Sequence, residues 1–152
     1  MNKQNKQLLK ALEINYLTLK HPTMPYITAS DWNDNSANAL TKCIIHFLTY
    51  SGFQAERINT MGVYREGKKI QVGENTRQLK GTYTPSTGTK GSADISATIR
   101  GRSVKIEVKQ KDKQSEVQKQ YQQSIEKAGG VYKIFRNFDD FIIWYDDFIS
   151  KI

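Results

Sequence analysis

Residues 92–110 read SADISATIRGRSVKIEVKQ. Apolar residues recur at every second position, first Ile95, Ala97 and Ile99, then Val104, Ile106 and Val108. That period predicts two half-buried strands in a hairpin. Gly101-Arg102 reads as the two-residue turn, because Gly at the first central position suits type II′ geometry. In that register Ser103 faces Arg100, Glu107 faces Ser96 and Lys109 faces Asp94. Directly paired residues share a sheet face, so Asp94, Glu107 and Lys109 converge on the side opposite the apolar set.

Two carboxylates held close together repel, and a cation is the usual compensation. Hard oxygen donors suit Mg²⁺ or Mn²⁺. The Val108 carbonyl, between Glu107 and Lys109, is a candidate third ligand. Lys109 would stand beside the metal, placed to orient or deprotonate a water or to stabilise charge on a phosphate. Metal-assisted phosphodiester hydrolysis needs this set of groups. The competing reading makes Asp94 and Lys109 an exposed cross-strand ion pair with Glu107 a solvated neighbour.

On the C-terminal side, Ser115 and Gln118 have capping-box spacing at the start of a helix that Gly129-Gly130 ends. Val117, Tyr121, Ile125 and Ala128 form its expected buried stripe. A strand follows in VYKIFR, then a helix capped by Asn137 with a broad apolar face from Phe138 to Ile149. On the N-terminal side, helices are expected over 5–20 and 36–51, the second with Cys43 in its core stripe and His46 on the surface. Residues 53–72 alternate well enough for two strands around Met61-Gly62, or for one strand and a ribbon. Residues 73–91, rich in Gly, Thr and Lys, have no apolar period and read as a long functional loop. A single domain is expected, with residues 1–30 as a helical extension and 36–152 as the core.

The hydrophobic share of 38% and the 16 aromatics (2 Trp, 8 Tyr, 6 Phe) in 152 residues exclude a disordered chain. The 23 Lys and Arg outnumber 15 Asp and Glu, for a net charge of +8, which favours a polyanion such as DNA as partner. One Cys and two His exclude a cysteine-rich zinc site and an internal disulfide. No apolar run approaches the ~20 residues of a membrane span, and no signal-peptide core is present, so a soluble cytoplasmic protein without membrane contact is expected.

The ordered set KGSADI, IEVKQ and SEVQKQYQQSIEKAGGVYKIFR resembles the nuclease domain of the PD-(D/E)xK superfamily, most closely its VRR-NUC branch. The resemblance runs from about Phe53 to the C-terminal helix. It implies an α/β fold with a restriction-endonuclease-like core: a small mixed sheet flanked by helices, with an extra N-terminal helix. It also implies cleavage of DNA with Mg²⁺ or Mn²⁺, with Asp94 and Glu107 as metal ligands, Lys109 as the catalytic lysine and Gln118 as helper. Two features depart from the pattern. Ala93 stands where the family often has Pro, and residues 36–51 hold no Asp or Glu for a second metal, leaving Asn35 or Asn38 as weak substitutes. The expected activity is that of a DNA endonuclease, structure-specific if its substrate is a branched or Holliday-junction DNA. Junction cleavage calls for two symmetric sites and hence a homodimer. The alternative is a non-catalytic DNA-binding or interaction protein on the same fold. Candidate phosphate contacts are Lys68, Lys69, Arg77, Lys80, Lys90, Arg100 and Arg102, with Tyr83 placed to stack on an unpaired base.

Overall fold

The structure, a computed structural model of the chain, describes residues 1–59, 62–72, 75–85 and 88–152. It is a mixed α/β fold built on a four-stranded sheet in the order β1-β6-β7-β8: β1 (Gln54–Arg57), β6 (Ile95–Ile99), β7 (Arg102–Val108) and β8 (Val131–Phe135). The first three strands run antiparallel to their neighbours, and β8 lies parallel to β7. A parallel return needs a crossover. Helix α3 (Glu116–Lys127) supplies it, between a capping box at Ser115 and Gln118 and a left-handed Gly129.

The sheet faces differ as the alternation demands. Ile95, Ala97, Ile99, Val104, Ile106 and Val108 are buried in one core with Leu40, Ile44, Phe47 and Leu48 of α2 (Ala37–Tyr50) and Phe138, Phe141 and Ile142 of α4 (Phe138–Ser150). Helix α1 (Lys3–Lys20) starts two residues before the expected position and puts Leu9 into the same core. Each such apolar side chain contributes about 1.5–3 kcal/mol when fully buried. Cys43 is buried there too, and burial pushes its thiol up to about 11, as a core residue requires.

Helix α3 lies at the β8 edge of the opposite face, with the Tyr121 ring edge-on to Tyr132 of β8. Its expected apolar stripe is a correction. None of its residues is fully buried; Val117 and Ala128 are exposed and Tyr121 and Ile125 half-buried, because α3 packs on the margin of the sheet. His46 is also corrected: its ring packs against Trp32 and Tyr50 instead of facing water, and burial holds its pKa down against the pull of Glu13. Glu13, itself buried, accepts from the Ser30 amide and hydroxyl and from the Trp32 indole, fastening the loop after α1.

The segment expected to be irregular contains β4 (Asn75–Gln78) and β5 (Thr82–Thr84), which pair with β3 (Lys69–Val72) and β2 (Val63–Arg65). Both pairings keep one register: Val63 faces Thr84, and counting inward brings Lys69 opposite Gln78. The Leu79 amide donates to the Lys68 carbonyl at 2.9 Å between them. The two ribbons are therefore one long hairpin arm. Its outgoing half lies in the stretch whose alternation predicts strand; its return half, β4 and β5, escaped a period-based reading because it is exposed throughout and carries no hydrophobic alternation. The expected turn at Met61-Gly62 falls partly outside the described residues.

Candidate active site

The β6-β7 turn lies one residue earlier than expected. Arg100 (φ 46°) and Gly101 (φ 78°) occupy its centre, and positive φ at both positions is the signature of type I′. Ile99 pairs with Arg102 and Ile95 with Ile106. The register thus slides by two residues, which leaves every side chain on its expected face. It moves the partners, though: carried one step further, Asp94 stands opposite Glu107 rather than Lys109. The Asp94 carbonyl accepts from the Ile58 amide at 2.8 Å, fixing the strand entrance.

Glu107 is only 2% exposed although it is charged. Its Oε1 receives two donors, the Gln118 amide nitrogen at 2.6 Å and Lys109 Nζ at 3.0 Å. Its Oε2 is buried and has no hydrogen-bond partner among the described residues. Burial first, and the neighbouring Asp94 carboxylate second, push the Glu107 carboxyl above its ordinary value, against the pull of Lys109 and Gln118. Burial and the same two carboxylates help push the Tyr132 hydroxyl up to about 12. Asp94 Oδ2 is held by the Val108 amide at 2.9 Å. The ion pair weighed from sequence is corrected: Lys109 bridges to Glu107, its neighbour along the strand.

Gln118 serves the helix and the carboxylate together. Its Oε1 accepts from the Ser115 amide at 2.9 Å, closing the capping box, while its Nε2 reaches Glu107. The helix start is thereby tied to the strand that carries the charge.

Among the described residues no group of three or more His, Cys, Asp or Glu comes together that could hold a metal ion. A magnesium-like cation does not need one. It is commonly bound through one or two carboxylates and keeps several waters. The crowded Asp94 and Glu107 pair, with a buried carboxylate oxygen left without a donor, fits such an ion. Val108 offers its main chain at the same place, its side chain being buried in the core.

An open cleft of about 720 Å³ has Asp94 on its wall, with Asn38, Arg57, Asn59, Gly62 and Tyr64 around it. Asn38, weighed as a substitute ligand, accepts from the Arg57 guanidinium at 2.9 Å; Asn35 does not line the cleft. Sequence reasoning missed Arg57 and Tyr64, which carry no motif and reach the cleft only through the pairing of β1 with β6 and the placing of the arm. Lys68, Lys69, Arg77, Lys80 and Tyr83 are all exposed on the arm, and Lys90 is exposed on the approach to Asp94. Arg100 and Arg102 are at the far end of the β6-β7 hairpin, away from the carboxylates. Arg100 instead donates to the Ile149 and Ile152 carbonyls at the end of α4. No described helix is long and apolar enough to cross a membrane. In comparisons with protein-family models, curated proteins and solved structures, nothing matches this chain.

Proposed function

We propose that the chain is a divalent-metal-dependent nuclease that hydrolyses DNA phosphodiester bonds on a restriction-endonuclease-like core of the PD-(D/E)xK kind. The observation that carries this reading is the pairing of Asp94 with a buried Glu107 whose Oε2 has no donor among the described residues. A buried carboxylate with a second one beside it costs stability unless positive charge compensates both. Asp94 and Glu107 would hold Mg²⁺ or Mn²⁺, with the Val108 carbonyl as a further donor. The ion, when bound, would polarise a phosphate oxygen and acidify a water.

The protein's own groups divide the remaining work. Gln118 and Lys109 fix Glu107 through one oxygen and leave the other without a donor among the described residues. Lys109, its side chain 15% exposed, keeps a route to solvent and is placed to hold a water or to neutralise charge on the phosphate. The net charge of +8 draws in a polyanion. A second reading is favoured by the Lys109 contact alone: an ion pair that partly compensates Glu107 would suit a non-catalytic DNA-binding protein on the same fold.

The deciding experiment incubates the protein with linear, single-stranded and branched DNA in Mn²⁺ or chelator, while solution mass is measured. Metal-dependent cleavage lost in Asp94→Asn, Glu107→Gln and Lys109→Ala, with DNA binding retained, is expected. Unchanged cleavage in any of these variants, or none by the wild type on any substrate, would overturn it. Preference for a four-way junction together with dimer mass would identify a resolvase-type enzyme.

A further inference from the structure

The hairpin arm formed by β2 to β5 stands out from the core, and the side chains of β2, β4 and β5 are exposed on both its faces. Isolated two-stranded hairpins are marginal in water, so this one carries its own stiffening. Tyr64 and Tyr83 face one another across the ribbon. Each also reaches the diagonal glycine of the opposite strand: Tyr64 covers Gly81 and Tyr83 covers Gly62, leaving no room for a Cβ at either. This reciprocal cover of glycines by aromatic rings braces the base of the arm.

The charges say what the arm meets. Between residues 62 and 85 the sequence holds five Lys and Arg against two Glu. Alternation from the shared register puts Lys68 and Arg77 on the tyrosine face and Arg65, Lys69 and Lys80 on the other. A ribbon lying flat on a polyanion would concentrate its cations on one face. Cations on both faces suit an element with phosphates on either side, as in a groove. The major groove of B-DNA is about 12 Å wide and admits a two-stranded ribbon. Ten residues per strand span roughly 33 Å at ~3.3 Å each, close to the ~34 Å of one duplex turn. Duplex RNA does not offer the same seat, because its major groove is too deep and narrow to enter.

We propose that this arm inserts into the major groove of duplex DNA and holds the duplex against the cleft that contains Asp94. Gly62 and Tyr64 belong both to the base of the arm and to the cleft wall, so a duplex gripped by the arm passes by Asp94 on the same wall. The inference rests on the nuclease reading for its biological use, but not for its test.

The test measures binding in chelator, where no cleavage occurs. Anisotropy of a labelled duplex of two helical turns is followed between about 50 and 200 mM salt for the full chain, for Lys68→Gln/Arg77→Gln and for Lys69→Gln/Lys80→Gln. Each pair should weaken binding and lower the slope of log K against log[salt] by about two, since each phosphate contact contributes ~0.9. Methyl green, a major-groove ligand, should compete; netropsin, a minor-groove ligand, should not; and duplex RNA should bind weakly. An effect from only one face, competition by netropsin alone, or unchanged slopes would overturn the proposal. Loss of dimer mass in the arm variants with DNA affinity intact would also overturn it, assigning the arm to a second copy of the chain. Asp94→Asn serves as control: if it cleaves as well as wild type, the nuclease reading fails while the arm result stands.

Discussion

Glu107 is the residue at which folding and chemistry pull in opposite directions. Its carboxyl is raised above the ordinary 4.5 by burial and by Asp94. A raised acid favours the folded state while protonated, so its contribution is fully present below the ordinary value and is lost as pH rises through the raised one. At neutral pH, without metal, wild type therefore carries a penalty that Glu107→Gln lacks. In chelator the variant is expected to melt at or above the wild-type temperature at pH 7, the gap closing as pH falls towards about 4.5. Melts across that range check it, and a variant that is plainly less stable at pH 7 would mean that the Lys109 contact outweighs the crowding. Gln118 allows a finer cut. Gln118→Glu keeps the acceptor for the Ser115 amide but places an oxygen where Nε2 meets Glu107. Helical circular dichroism should survive while cleavage falls at least tenfold; cleavage at the wild-type rate would leave Gln118 with the helix cap alone.

At the level of elements, the β6-β7 hairpin depends on a turn that needs positive φ twice. Gly101 sits at φ 78° with nothing within 4 Å of where a Cβ would stand, so Gly101→Ala isolates the backbone cost. A loss of about 1–2 kcal/mol is expected in denaturant unfolding, and no loss would mean that the turn relaxes to another type. The core strands and all four helices were legible in the sequence because burial imposes a period and caps mark the ends. Asp94, Glu107 and Lys109 shared a face in either register, since a slide by two residues preserves alternation. The exact partner of Asp94 was not legible, because Arg at positive φ gives no local signal. Nor was the arm as a hairpin, because its return strand is exposed throughout and carries no alternation. Its constraint appears instead at Gly67, where a Cβ would run into the Leu79 carbonyl on the opposite strand. Gly67→Ala should therefore distort the arm and weaken metal-free DNA binding, yet leave the melting temperature of the core within about 2 °C, because the core sheet pairs without it. A large drop in melting temperature would show that the arm and the core fold as one unit.

At the scale of the whole molecule, metal binding and folding are a single equilibrium. The sheet brings Asp94 and Glu107 together only when β6 pairs with β7, so a cation that uses both binds the folded chain and not the unfolded one. Such an ion should stabilise wild type by RT ln(1 + [L]/Kd), about 2.7 kcal/mol at a hundredfold excess over Kd. A structural Glu107–Lys109 pair predicts no such increment. In Asp94→Asn one of the two crowded charges is gone, so the metal-free variant should be at least as stable as wild type while its response to Mn²⁺ shrinks sharply. Glu107→Gln should behave alike, and Lys109→Ala, which leaves both carboxylates in place, should keep most of the metal response even with cleavage abolished. Melts of the four proteins in chelator and in Mn²⁺ separate ligand from helper. Equal increments in wild type and Asp94→Asn would remove Asp94 from the metal site. A wild type that gains nothing from Mn²⁺ or Mg²⁺ would leave the buried Glu107 oxygen without its proposed partner, and the chain would then be better read as the non-catalytic DNA-binding protein.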